Sequence, residues 1–202
     1  MRKAILWLAA VAILTLVAPA MAKFDAGLIN VSFGNKDVVP VGKYVLGEEH
    51  DKWNTMDGAT GEKAPLDNAK GDKSDATVTW SAAGVYDADD AGFVGTPFEK
   101  LLRKYLYSNE AQKVTINGLT PGAKYDLVAY SASNQGDRKT KFTIGGESKT
   151  TTYAIDNKEL ADGVNYAKFT ATADADGNLI LTYEGVDGAE GNLNGFQIAP
   201  AK

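Results

Sequence analysis

Residues 76–82 read Ala76-Thr77-Val78-Thr79-Trp80-Ser81-Ala82, and their alternation decides the class of fold. Ala76, Val78, Trp80 and Ala82 fall on one side of an extended chain and the hydroxyls of Thr77, Thr79 and Ser81 on the other, the period-two pattern of a strand with one buried face. Trp80 is therefore expected in the core. Comparable runs recur at residues 113–117, 124–133, 139–144, 149–155, 164–173, 178–183 and 195–199, with an earlier one at 28–33. The gaps between them carry turn chemistry: Asn117-Gly118, Pro121-Gly122, Gly145-Gly146, Asp162-Gly163, Asp176-Gly177 and Asp187-Gly188. About nine short strands at this spacing predict an all-β sandwich or barrel.

Two segments depart from that rhythm. Over 96–106 a helix is expected, because Thr96 can cap it, Pro97 suits the first helical position and Glu99 completes a capping box. Phe98, Leu101, Leu102 and Tyr105 then share one face, which would plug an end of the sandwich. Residues 34–75 are rich in glycine and charge and read mostly as long loop, with Tyr44-Val45-Leu46 as the one strand candidate. Long loops in compact domains are often functional. This one holds His50, the sole histidine, and Trp53, which is either a pin folding the loop down or an exposed platform.

Residues 1–22 have a basic start, Arg2-Lys3, an apolar run from Ala4 to Val17 and the ending Ala20-Met21-Ala22. That is the pattern of a cleaved secretory signal peptide, and the apolar run is short for a membrane span of about 20 residues. Residues 23–202 are then one exported domain, secreted or periplasmic, with no later run able to span a bilayer. Removal of Arg2 and Lys3 takes the net charge from −5 to −7, which gives no general attraction to nucleic acid or anionic lipid. The chain has no cysteine, so disulfide scaffolds, thiol catalysis and thiolate metal sites are excluded. Stability must come from a packed core, and a chain of this length buries about 70% of its unfolded surface.

Two resemblances can be read from longer stretches. Gly118-Leu119-Thr120-Pro121-Gly122-Ala123-Lys124-Tyr125 resembles the tyrosine corner of fibronectin type III domains, although too many strands follow it for that topology. Most of the chain, in contrast, is similar to galactose-binding-like jelly-roll modules of bacterial secreted proteins, of the malectin and carbohydrate-binding-module type. The residues that carry this are Ile29-Asn30-Val31-Ser32-Phe33-Gly34, Trp53-Asn54, and Leu101-Leu102-Arg103-Lys104-Tyr105-Leu106. Tyr125-Asp126-Leu127-Val128-Ala129-Tyr130 and the closing Leu193-Asn194-Gly195-Phe196-Gln197-Ile198 complete the set.

The resemblance implies a jelly-roll β-sandwich with one short helix, pairing of first and last strands, and a glycan or polysaccharide held by loops at one end. Structural calcium often accompanies such modules. Sugar sites stack an aromatic face on a pyranose and fix its hydroxyls with a few polar groups, so the candidate residues are Trp53, Asn54, Tyr86, Tyr107, Asn134, Asp137 and Arg138. For calcium the candidates are the oxygens of Asp87-Ala88-Asp89-Asp90, whereas Asp174-Ala175-Asp176-Gly177-Asn178 reads as a hairpin turn.

Catalysis has little to work with. A serine triad would have to use His50 and there is no Gly-x-Ser-x-Gly elbow, zinc would need more ligands than one histidine, and no pair of acids stands out for glycoside hydrolysis. A non-catalytic carbohydrate-binding module is the leading expectation, and a self-associating cell-surface or matrix protein is the rival.

Overall fold

A computed structural model describes residues 27–34, 36–89, 92–136, 138–152 and 159–202. The expected leader, Asp90, Asp137 and the end of the run at 149–155 lie outside the described residues. The elements in chain order are β1 (Ile29–Gly34), β2 (Asn54–Asp57), β3 (Gly61–Asp67), β4 (Lys73–Trp80), β5 (Gly84–Asp87), α1 (Glu99–Leu102), β6 (Lys104–Ser108) and β7 (Gln112–Asn117). They continue with β8 (Lys124–Tyr130), β9 (Thr140–Ile144), β10 (Glu147–Thr151), β11 (Tyr166–Thr172), β12 (Leu179–Gly185), β13 (Gly191–Leu193) and β14 (Gly195–Pro200).

A five-stranded sheet, β11-β8-β14-β1-β2, faces a six-stranded sheet, β10-β9-β12-β7-β4-β3, and a small third sheet, β13-β6-β5, closes one side. The fold is thus all-β, a jelly-roll sandwich with one short helix. First and last strands pair, as expected, with Val31 opposite Phe196 in an antiparallel ladder. Between the large sheets lie the inward residues that period two selects, among them Val31, Val78, Trp80, Val114, Leu127, Phe142, Phe169, Leu181 and Phe196. Trp80 is buried there, its ring 5.7 Å from that of Phe33. It packs over Gly61, where an added Cβ would come within 2.0 Å of the indole.

The tyrosine corner forms locally: the Tyr125 hydroxyl accepts a hydrogen bond from the Thr120 amide at 2.9 Å. Asp174–Asn178 is a tight turn, with Asp174 Oδ1 accepting from the amides of Asp176 and Asn178. It is not a hairpin, however. The strands it joins sit in opposite sheets, β11 against β8 and β12 between β7 and β9, so the turn is a crossing between layers.

Two further expectations need correction. The helix is a single turn. Glu99 does reach back, but to the Gly95 amide at 2.7 Å, and the chain becomes strand β6 at Lys104. The reason is tertiary: Asn194 Nδ2 donates to the carbonyls of both Leu102 and Lys104, at 2.7 and 3.0 Å, and β6 gains pairing with β5 and β13. A helix through Leu106 would forfeit both. Residues 34–75, in turn, are mostly irregular as expected, but not without strands. They contain β2, β3 and the start of β4, while Tyr44-Val45-Leu46 is irregular. Strand β3 escapes a pattern search because its ladder with β4 carries register shifts and includes Pro65, features tolerated at an edge.

The remaining irregular stretch, 36–53, covers the outer face of the five-stranded sheet. Strand β8 is consequently buried on both faces, with Val128 and Tyr130 joining Tyr44, Trp53, Phe93, Leu101, Leu102 and Tyr105 in a second core. The buried polar side chains beneath this cover are saturated. Gln197 donates to Asn30 Oδ1 and the Leu46 carbonyl, and its Oε1 accepts from the Leu46 amide and the Tyr130 hydroxyl. Such complete pairing is what makes a buried amide tolerable.

Candidate functional site

Alternation in the small sheet decides which side chains can form a site. Tyr86 stands opposite Tyr105, Gly84 opposite Tyr107 and Asn192 opposite Tyr107, so these residues share one face. Val85, Leu106 and Leu193 take the other and pack on the main core. Tyr105 is fully buried, and burial pushes its phenol up to about 12. Tyr86 lies over it with ring centroids 5.6 Å apart and remains 45% exposed. Gly84 leaves room for Tyr107, since a Cβ there would sit 2.5 Å from the Tyr107 hydroxyl.

The loop after β8 brings polar groups to the same place. Ser133 closes a tight turn by accepting from the Gln135 amide and donating to the Gln135 carbonyl, both at 3.1 Å. Asn134 then bridges the tyrosines: its Oδ1 accepts from the Tyr105 hydroxyl at 3.1 Å and its Nδ2 donates to the Tyr86 hydroxyl at 3.4 Å. Arg138 NH1 lies 2.5 Å from Glu190 Oε2. Tyr86, Tyr107, Asn134, Gln135, Arg138 and Glu190 together enclose a cleft of about 260 Å3.

Four residues expected from the sequence, Tyr86, Tyr107, Asn134 and Arg138, are thus brought together, and Asp137 lies outside the described residues. Gln135 and Glu190 join them. Gln135 belongs to the same loop motif, but Glu190 arrives from the far end of the chain and no local signal marks it.

The structure assigns Trp53 and Asn54 elsewhere. Trp53 is buried in the second core, 4.9 Å from Tyr44 in an edge-on arrangement, with Nε1 donating to the Gly42 carbonyl at 3.1 Å. It is the pin and not a platform, because the loop it carries closes over it. Asn54 donates to the carbonyls of Asn30 and Asp67 and accepts from the Asp67 amide. That side chain is spent on joining β1, β2 and β3.

A larger groove, about 690 Å3, opens on the outer side of the five-stranded sheet between Leu46, Ala69, Asp126, Lys168 and Pro200. Among the described residues its lining has no aromatic side chain, and its Lys70 is held by Glu48 and Asp51 at 2.9 and 3.0 Å. Those residues offer no stacking surface for a sugar.

Of the calcium candidates, Asp87 is already engaged by side-chain cations. Arg103 beside Asp87 holds that carboxyl below its usual range, and Lys104 Nζ contacts its second oxygen at 3.0 Å. Two cations therefore already occupy the carboxylate. Among the described residues no group of three His, Asp or Glu side chains is arranged to hold a metal ion.

No protein-family model and no curated protein matches the chain. Among solved structures, the extracellular domain of ANXUR2 from Arabidopsis thaliana aligns with a TM-score of 0.51 over 86% of this chain and 41% of its own, at 10% identity. The plant receptor-like kinase FER gives 0.48 over 86% and 42%, at 11% identity. A family 35 carbohydrate binding module from Clostridium thermocellum gives 0.31 over 58% and 97%, at 15% identity. The chain spans about two fifths of the length of the two plant proteins. At such identity the likeness to ANXUR2 is one of fold.

Proposed function

We propose that the protein is an exported, non-catalytic sugar-binding module that holds a glycan in the cleft between Tyr86 and Arg138. The observation that carries this reading is an exposed tyrosine ring set against a framed row of amides and a guanidinium. A half-exposed aromatic supplies a stacking face, and Asn134, Gln135 and Arg138 supply the directional hydrogen bonds that fix a hydroxyl pattern. Glu190 is the one carboxylate among the described cleft residues, and its charge is engaged by Arg138. Glycoside hydrolysis needs a second acid at a fixed separation, so binding is the simpler use of this surface.

Export rests on the leader read in residues 1–22, and sequencing of the secreted protein should find Lys23 at its start. The rival reading, self-assembly through strand edges, is disfavoured at three of the four edges of the two large sheets: β2 is four residues long, β3 contains Pro65 and register shifts, and β10 carries Lys149 over the Phe169 ring. These are devices that discourage edge pairing. A glycan array on residues 23–202, followed by calorimetry on Tyr86→Ala, tests the proposal. Binding lost about tenfold, at unchanged melting temperature, is expected for removal of one stacking ring. No glycan bound, or affinity indifferent to Tyr86→Ala, would remove the reading.

A further inference from the structure

We infer that the cleft selects uncharged, hydroxyl-bearing sugars over uronates, and that Glu190 enforces the choice. The inference rests on the glycan-binding role proposed for this cleft and specifies its ligand.

Two independent observations carry it. The first is the state of Arg138. A guanidinium at a sugar site can read a carboxylate through its planar fork, but here NH1 is 2.5 Å from Glu190 Oε2, and both side chains are about one-fifth exposed, at 22% and 23%. Among the described residues these two are the charged groups of the cleft. A sugar carboxylate arriving there would have to displace Glu190 or lie beside it, and like charges brought together at a partly dehydrated site oppose binding. A neutral ligand meets no such barrier. It can accept from the remaining N–H groups of Arg138 and donate to Glu190 without disturbing the pair.

The second observation concerns Asn192. It is 1% exposed, and its Oδ1 is the one buried side-chain N or O atom among the described residues that has no hydrogen-bond partner. Buried acceptors without a donor are exceptions that call for an explanation. Asn192 stands opposite Tyr107 in the β13–β6 ladder and two residues from Glu190, hence on the face that carries the tyrosines. Asn192 lies behind the lining of the cleft, next to Tyr107, and a sugar hydroxyl or a bound water on that face would supply the donor it lacks. Sugar hydroxyls are such donors, and neutral sugars and uronates both carry them. The Arg138–Glu190 pair therefore sets the preference for an uncharged ligand, and Asn192 adds only that the ligand carry hydroxyls.

The test is calorimetric titration of residues 23–202 with neutral gluco-, galacto- and manno-oligosaccharides and, in parallel, with oligogalacturonides and glucuronate-containing oligosaccharides, at about 0.15 M salt. The wild-type protein should bind its best neutral ligand at least roughly tenfold more tightly than its best uronate. Glu190→Gln frees Arg138 and should narrow that ratio about tenfold by raising uronate affinity. Asn192→Leu should weaken the neutral ligand while the melting temperature stays at or above that of wild type, since the acceptor it removes is unsatisfied in the free protein. Uronate binding as tight as neutral binding, or a ratio untouched by Glu190→Gln in a folded variant, overturns the inference while leaving the cleft as a glycan site. Should neither class bind, the glycan role itself falls and the inference with it.

Discussion

Two aromatic clusters lie on neighbouring parts of this molecule and have opposite fates. Around Trp53, the rings of Tyr44 and Tyr130 pack edge-on or tilted within 4.9 and 6.4 Å, and the polar tips of Trp53 and Tyr130 are already used. Trp53 Nε1 is held by the Gly42 carbonyl, and the Tyr130 hydroxyl by Gln197. Around Tyr86, the ring lies on another tyrosine but its outer face is open, and the polar groups beside it frame a hollow. Aromatic content alone does not distinguish the two. The difference lies in whether a loop returns over the cluster and consumes its hydrogen-bonding capacity.

The predicted consequences separate the clusters by size of effect. Burial pushes the Tyr44 phenol up to about 12 and that of Tyr130 higher still. An acid whose pKa is raised on folding contributes stability that is complete below its unfolded value and lost as pH climbs above it. Cooperative alkaline unfolding should therefore set in once pH passes about 10, the unfolded tyrosine value, followed by circular dichroism. A folded protein that ionises these tyrosines without losing structure would show the closed cluster to be open.

Next in size, Trp53→Ala should cost about 3–5 kcal/mol by chemical denaturation, the range for deleting a large buried aromatic. Its glycan affinity should be near that of wild type at temperatures where it is folded. Tyr86→Ala should do the reverse, with a melting temperature within a degree or two and affinity lower by roughly tenfold, about 1.4 kcal/mol. An exchange of these phenotypes would invert the comparison.

The smallest effect is expected at Asp87. Its pKa is lowered first by the hydrogen bond from Arg103 and further by Lys104. A depressed carboxyl contributes stability above its unfolded value, near 3.9, that is lost as pH falls through the lower folded value. Asp87→Asn should accordingly flatten the acid limb of the stability curve below about pH 4 and slightly weaken the junction between β5 and β6. Solvent access to this carboxylate keeps the change modest.

The sandwich was legible because its strands alternate, and burying one face forces that alternation into the sequence. The strands that escaped are informative. Strand β6 hides within apolar positions that also fit helical spacing, β13 is three residues long, and β3 is interrupted by Pro65 and register shifts. Each owes its existence to a neighbour. Asn194 takes the carbonyls on either side of Arg103, and Gly195 lets β14 approach β1, where a Cβ would lie 2.3 Å from the Val31 carbonyl. The closing Leu193-Asn194-Gly195-Phe196-Gln197 thus works as a structural hub. In the cleft, Tyr86, Tyr107, Asn134 and Arg138 could be nominated as residue types suited to sugars, whereas Glu190 could not, because its partner Arg138 is 52 positions away in the chain.

By itself, then, the sequence determined the all-β class, the burial of Trp80 and the turns, since period-two burial and turn chemistry are local and leave a local record. Only the tertiary structure decided that Trp53 is a pin, that the helix stops after one turn, and that an arginine from one loop meets a glutamate from another. Burial, pairing and charge compensation depend on what the rest of the chain brings alongside, and for Trp53, Arg138 and Asn192 that lies far away in sequence.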